Sequence, residues 1–146
     1  MLRGNHPARI DDKGRIKIPN GFRLFVESQY GLELFVTSVT GEYVRLYPMA
    51  VWLEIERKLA AVPSTNPSKV RFIERVNYFG QAVTMDRQGR VVLPQILRET
   101  AAMAGEVSVL GAQNHLEIWN LRRLQERFKK EPFTEEDGRA LSDLGI

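Results

Sequence analysis

The feature that most constrains this chain is an internal repeat. Residues 8–19 read ARIDDKGRIKIP, and residues 83–94 read VTMDRQGRVVLP. Laying Asp11 on Asp86 also lays Gly14 on Gly89, Arg15 on Arg90 and Pro19 on Pro94. The apolar positions follow: Ile10 on Met85, Ile16 on Val91 and Ile18 on Leu93. A second block, YVRLY at 43–47, matches HLEIW at 115–119 and sits three residues nearer to its leader in the second copy. Two blocks in one order with compatible spacing mean a single module present twice.

Each copy has the same predicted layout. Around the two DxxGR segments apolar and polar residues alternate, as in a half-buried strand. Ile16 and Ile18 point inward with Arg15 and Lys17 opposite; Val91 and Leu93 point inward with Arg90 and Val92 opposite. Gly14 and Gly89 stand where a tight turn needs a positive φ. Pro19 and Pro94 end the strands and lead into helical stretches, NGFRLFVESQ and QILRETAAMA. The runs LELFVTS and EVSVL read as further strands, each followed by a turn at Gly41 or Gly111. In the last strands Val44, Leu46, Leu116 and Ile118 are the inward residues, which places Tyr43 and Tyr47 outward, where they are available to a subunit interface.

Helices are predicted after each copy. Trp52, Ile55, Leu59 and Val62 recur at helical spacing, and Asn66–Pro67 reads as a cap with a first-turn proline before Val70, Ile73 and Val76. Leu121, Leu124 and Phe128 form a stripe between basic residues, and Thr134 to Asp137 reads as a capping box. The expected organisation is a first module at 5–50, linking helices at 51–76, a second module at 77–122 and C-terminal helices at 123–146. Trp52 and Trp119 are expected to be packing or interface residues.

With no cysteine, disulfides and thiolate metal sites are excluded. No run approaches the roughly 20 apolar residues of a membrane helix, and the N-terminal residues lack the apolar core of a secretion signal. A cytoplasmic protein with no membrane partner is the expectation. The net charge of +3 permits nucleic-acid binding without requiring it, so the placement of the charge matters more.

The turn chemistry accounts for Asp and Gly twice, but it does not require Arg at the same place twice. An Arg beside a rigid turn can fork onto a phosphate or a guanine edge, and an Asp four residues earlier can hold it in one pose. A purely structural salt bridge across the turn is the alternative. Arg3, Arg9, Lys13, Arg15 and Lys17 gather in the first copy, with Arg87 and Arg90 in the second. Together they suggest an electrostatic footprint for phosphate, against the plainer reading of a solvated charged face. Val92 in place of Lys17 implies that the copies do not touch DNA identically.

The paired DxxxR motifs, Asp11 to Arg15 and Asp86 to Arg90, each followed by an apolar–x–apolar–Pro segment, resemble the MraZ family. The opening RGNHPARIDDKGRIKIP resembles that family's N-terminus. The resemblance implies two SpoVT-AbrB-type modules in a β-rich α+β fold, the repeats forming a swapped-hairpin-type β-barrel with flanking helices. It further implies a nucleoid-associated transcriptional regulator assembled as a homo-oligomeric ring. Such a protein binds short direct repeats in double-stranded promoter DNA upstream of its own gene, at the head of the division and cell-wall gene cluster. Asp11, Arg15, Asp86 and Arg90 carry over from the motif. Arg3, Arg9, Lys13, Lys17 and Arg87 are assigned from charge alone.

Other chemistry finds no support. His6 and His115 lack metal-ligand spacing, and neither a phosphate-binding glycine loop nor a nucleophile elbow occurs. No enzyme activity, catalytic residue, metal or cofactor is therefore expected. The alternative function is an antitoxin-like protein-interaction module without sequence-specific DNA binding.

Overall fold

The computed structural model describes residues 1–146. The first copy comprises β1 (Asn5–Arg9), β2 (Arg15–Lys17), α1 (Asn20–Gln29), β3 (Glu33–Thr37) and β4 (Val44–Pro48). Helices α2 (Met49–Ala60) and α3 (Pro67–Tyr78) lead to the second copy. That copy comprises β5 (Gln81–Thr84), β6 (Arg90–Val92), α4 (Gln95–Thr100), β7 (Glu106–Gly111) and β8 (Leu116–Asn120). Helices α5 (Leu121–Lys130) and α6 (Glu135–Ser142) follow.

The copies exchange strands. One six-stranded antiparallel sheet runs β1-β7-β8-β4-β3-β5, so the first strand of each copy lies against a strand of the other. His6 of β1 faces Val109 of β7, and Val83 of β5 faces Leu34 of β3. The last strands join in the middle, with Val44 opposite Ile118. The short strands β2 and β6 pair only with each other, Ile16 opposite Val91, as a separate two-stranded ribbon.

This arrangement corrects the expected closed barrel. The sheet is open, with β1 and β5 as its edges. A single bridge, Ile10 to Ile16, ties the first strand to the ribbon. Pro19 and Pro94 follow the ribbon strands closely and lack the N–H that would extend a ladder around the molecule.

Both faces of the sheet are covered. On one, Leu34, Val36, Val44, Leu46, Val107, Val109, Leu116 and Ile118 meet the inner side of the ribbon and the buried faces of α1 and α4. Burial of this main core supplies the chief drive to fold. On the other, α2 and α3 cover Tyr47 through Trp52 and Val76, and α5 covers Tyr43 through Leu124. Tyr43 stacks on Trp119 with ring centroids 4.2 Å apart. Tyr43 and Tyr47 are therefore buried, not outward: alternation assigned them to the far face correctly, but helices cover that face. Arg45, between them, donates to both phenol oxygens, through Nη2 to Tyr43 at 3.0 Å and Nη1 to Tyr47 at 3.3 Å.

Local signals place the helix ends. The Asn66 side chain accepts from the Ser68 and Lys69 amides, with Pro67 in the first turn. Thr134 and Asp137 form the reciprocal capping box. Two expectations change. Helix α4 stops at Thr100, because Ala102 turns to φ +51° and the following Met103 is drawn into the core. Gly111 ends β7 rather than making the turn; its bare Cα lets the Leu2–Arg3 backbone approach, and Gln113 takes the left-handed position at φ +70°.

Ile118 is wholly buried at the centre of the sheet, far in sequence from either turn. Ile118→Ala is expected to destabilise the fold by about 2–5 kcal/mol, read as a lower urea midpoint at unchanged slope.

Candidate nucleic-acid interface

The two DxxGR segments fold into the same structure. In the first, the Asp11 amide donates to the Arg15 carbonyl at 2.9 Å and the Gly14 amide to the Asp11 carbonyl at 3.0 Å. Gly14 holds φ +75° and Gly89 φ +76°, a conformation that side chains resist. The Asp11 Oδ1 accepts from the Lys13 and Arg15 amides at 3.0 and 2.8 Å, and Oδ2 accepts from Arg15 Nε at 2.8 Å. Asp86 repeats the pattern, accepting from the Gln88 and Arg90 amides at 2.9 and 2.8 Å and from Arg90 Nε at 2.8 Å.

One carboxylate thus closes the turn and aims the arginine. The arginine side chains are only 23% and 29% exposed, so they lose more rotamer freedom than an ordinary surface pair. Holding each guanidinium through Nε leaves its two Nη groups unengaged by the chain. That fork can donate two parallel bonds to a phosphate or to guanine O6 and N7. The Arg15 amide, and less strongly its guanidinium, holds the Asp11 carboxyl below the ordinary aspartate value, against burial; the Arg90 groups do the same for Asp86.

The ribbon brings the turns together. Arg15 lies opposite Val92, and Lys17 opposite Arg90, while the inner residues Ile16 and Val91 are buried. Turn 1 enters β2 and turn 2 enters β6, so they sit at opposite ends of one short ribbon. Backbone bonds join each turn to the other copy: Ile18 donates to Gly89 and Leu93 to Gly14. Lys13, Lys17 and Arg87 are exposed beside them and make no ion pair. Arg9 ends β1 next to turn 1 and meets the exposed Glu106 at 3.4 Å. The structure does not bring Arg3 to this group: it lies beside Gly111, at the opposite end of β1.

Two further residues escaped the sequence reading. Arg23 of α1 donates from Nη2 to the Arg87 carbonyl in turn 2 at 2.8 Å, and Arg98 of α4 lies against Gly14 in turn 1. The alignment that sets Arg15 on Arg90 also sets Arg23 on Arg98, so the signal was present.

The histidines are engaged elsewhere. His6 meets Phe22 edge-on, and His115 stacks on Tyr47. Burial, aided by Arg45, lowers the His115 pKa and favours its neutral form. No cluster of three or more His, Cys, Asp or Glu side chains is placed to hold a metal ion.

Because Asp11 and Asp86 are held below the ordinary value of 3.8, the stability they lend is present above about pH 4 and disappears as pH falls through their lowered values. The thermal midpoint of the wild type should therefore fall toward that of Asp11→Asn/Asp86→Asn on acidification. A gap between the two proteins that stays constant with pH would mean that these ion pairs do not stabilise the turns.

Comparison with known proteins agrees with this architecture. The family model described as "MraZ protein, putative antitoxin-like" matches twice, over residues 1–75 and 80–144. A protein named transcriptional regulator MraZ from Acidobacterium capsulatum is 47% identical over 146 residues, covering 100% of both chains. Its namesake from Koribacter versatilis is 49% identical over 147 residues, again covering 100% of both. That of Halothermothrix orenii is 34% identical over 150 residues, with the same coverage. A family match over both repeats, and relatives aligned from end to end, establish that this chain belongs to the MraZ family.

Proposed function

We propose that the chain is a sequence-specific DNA-binding transcriptional regulator that reads duplex DNA with the β2–β6 ribbon and its two turns. The observation that carries this reading is the pair of carboxylate-locked arginines, both on one exposed ribbon and both with free Nη forks. The relatives' shared name, transcriptional regulator MraZ, supports it. A two-stranded ribbon fits the DNA major groove. Arg15 and Arg90 would read base edges there, each aimed by its aspartate, while Arg9, Lys13, Lys17 and Arg87 would supply phosphate contacts and most of the affinity. Arg3, remote from the turns, would contribute only to the wider field.

The targets that suit this reading are short direct repeats upstream of the protein's own gene and of the division and cell-wall gene cluster. The modules at 5–50 and 77–122 supply one reading head, and the helices at 51–76 and 123–146 lie outside it. A single head is small, so a homo-oligomeric ring would gain avidity by engaging several repeats at once. A nucleoid-associated, cytoplasmic protein is the corresponding location.

A second reading, an antitoxin-like interaction module, draws on the C-terminal region. Helix α6 buries no residue, and Phe133, Leu144 and Ile146 are exposed around it. A stoichiometric heterologous partner recovered from native cells, together with indifference to DNA sequence, would favour that reading.

The deciding experiment compares DNA from upstream of the gene with a scrambled duplex over a salt series. The wild type should prefer the upstream DNA and weaken steeply with salt. Arg15→Ala/Arg90→Ala should lose about 1–3 kcal/mol for each base contact removed, while remaining folded and assembled. Unchanged affinity in that double variant would overturn the reading.

A further inference from the structure

We infer that Arg23 and Arg98 are positioning residues, each clamping the DNA-reading turn of the opposite copy; the role in reading DNA rests on the proposed function, the clamp itself does not. An added Cβ at Gly14 would lie 2.5 Å from Arg98 Cζ and Nη1, and one at Gly89 would lie 2.7 Å from Arg23 Cδ and 3.0 Å from its Nε. Each guanidinium region therefore packs directly on a turn glycine. The glycines provide room for the arginine as well as the left-handed backbone.

The contact is crossed between copies. Arg23 belongs to the first copy and lies on the second copy's turn; Arg98 belongs to the second and lies on the first's. The reason is the antiparallel ribbon. After β2 the chain passes beside turn 2 and enters α1, and after β6 it passes beside turn 1 and enters α4. A positive side chain one helical turn into each helix consequently meets the other copy's glycine. Each reading arginine is then fixed on two sides, by its own aspartate through Nε and by a turn backbone that the other copy's arginine covers.

The two clamps are unequal. Arg23 is itself held, donating from Nε to Glu27 at 2.9 Å and from Nη2 to the Arg87 carbonyl at 2.8 Å. The position equivalent to Glu27 is Ala102, where α4 has already ended, and Arg98 Nε is buried without a partner. Arg98 acts by packing, whereas Arg23 adds a hydrogen bond to the turn it covers. Turn 2 is accordingly the more tightly held.

Lysine preserves the charge but not the flat guanidinium, so Arg23→Lys and Arg98→Lys separate a clamp from a phosphate ligand. Amide hydrogen exchange without DNA is the first readout. Arg23→Lys should speed exchange in residues 86–90 and leave residues 11–15 unchanged; Arg98→Lys should do the reverse, with a smaller effect. With upstream DNA, Arg23→Lys should lose affinity by about tenfold or more, the scale on which supporting residues act at preorganised sites. The charge-removing Arg23→Met should leave the slope of log affinity against log salt at the wild-type value, since no phosphate contact is removed.

Unchanged exchange in the opposite turn, or loosening confined to the variant's own copy, overturns the clamp. So does a salt slope reduced by about one in Arg23→Met, which marks a phosphate ligand. If Arg23→Lys fails to fold, Glu27→Ala, which removes the acceptor of Arg23 Nε, should loosen residues 86–90 to a lesser degree, and its failure to do so also overturns the proposal. A wild type indifferent to DNA sequence would refute the regulator reading alone, because exchange still decides the clamp.

Discussion

Strands β2 and β6 are three residues long, too short for a ladder to persist in water by itself. Their pairing survives because Ile16 and Val91 face each other across it and are wholly buried against the large sheet. The rest of the molecule depends on this contact. It sets the two turns at opposite ends of one ribbon and directs each following helix past the other copy's turn. Neither copy can make the ribbon alone, since each supplies one strand. The same exchange at β1–β7 and β3–β5 ties the remaining strands into one sheet. Duplication here produces a single interleaved core, not two domains in tandem.

The turns show how a weak interaction becomes directive. An exposed Asp–Arg pair contributes little to stability. In Asp11–Arg15 and Asp86–Arg90 the same carboxylate also takes two backbone amides, so the ion pair and the turn form or fail together. The backbone then bears the cost of ordering the arginine. What remains free is the Nη fork, preorganised for a planar acceptor before any partner arrives.

Features decided within a few residues were legible in the sequence. The turn aspartates and glycines, Pro67 behind Asn66, the Thr134 box and the inward set Val44, Leu46, Leu116 and Ile118 all follow from local spacing. Features decided by the pairing of the copies were not. Alternation puts Tyr43 and Tyr47 on one face but cannot tell whether α2 and α5 will cover it. The run QILRETAAMA favours helix throughout, yet the core takes Met103 and bends the chain at Ala102. Charge alone grouped Arg3 with Arg9, although β1 carries them to opposite ends of a strand. Arg23 and Arg98 lay in plain alignment, but their role depends on a crossing that only the antiparallel ribbon creates.

The near-symmetry of the ribbon bears on the DNA it would suit. A two-fold symmetric head matches a palindrome, because each half meets an identical half-site. Here the outward positions are Arg15, Lys17, Arg90 and Val92, three cations and one exposed valine. Lys17 lies directly across from Arg90, a like-charge pair that disfavours the ladder until an anion approaches. Arg15 lies across from Val92, where an apolar side chain can meet a thymine methyl group. The two ends of the ribbon therefore present different chemistry, and the clamp behind turn 2 is stronger than that behind turn 1. Such a head has a direction. A directional head reads one orientation of its site better than the other, which suits repeats that all point the same way and copies of the chain that rotate without inverting.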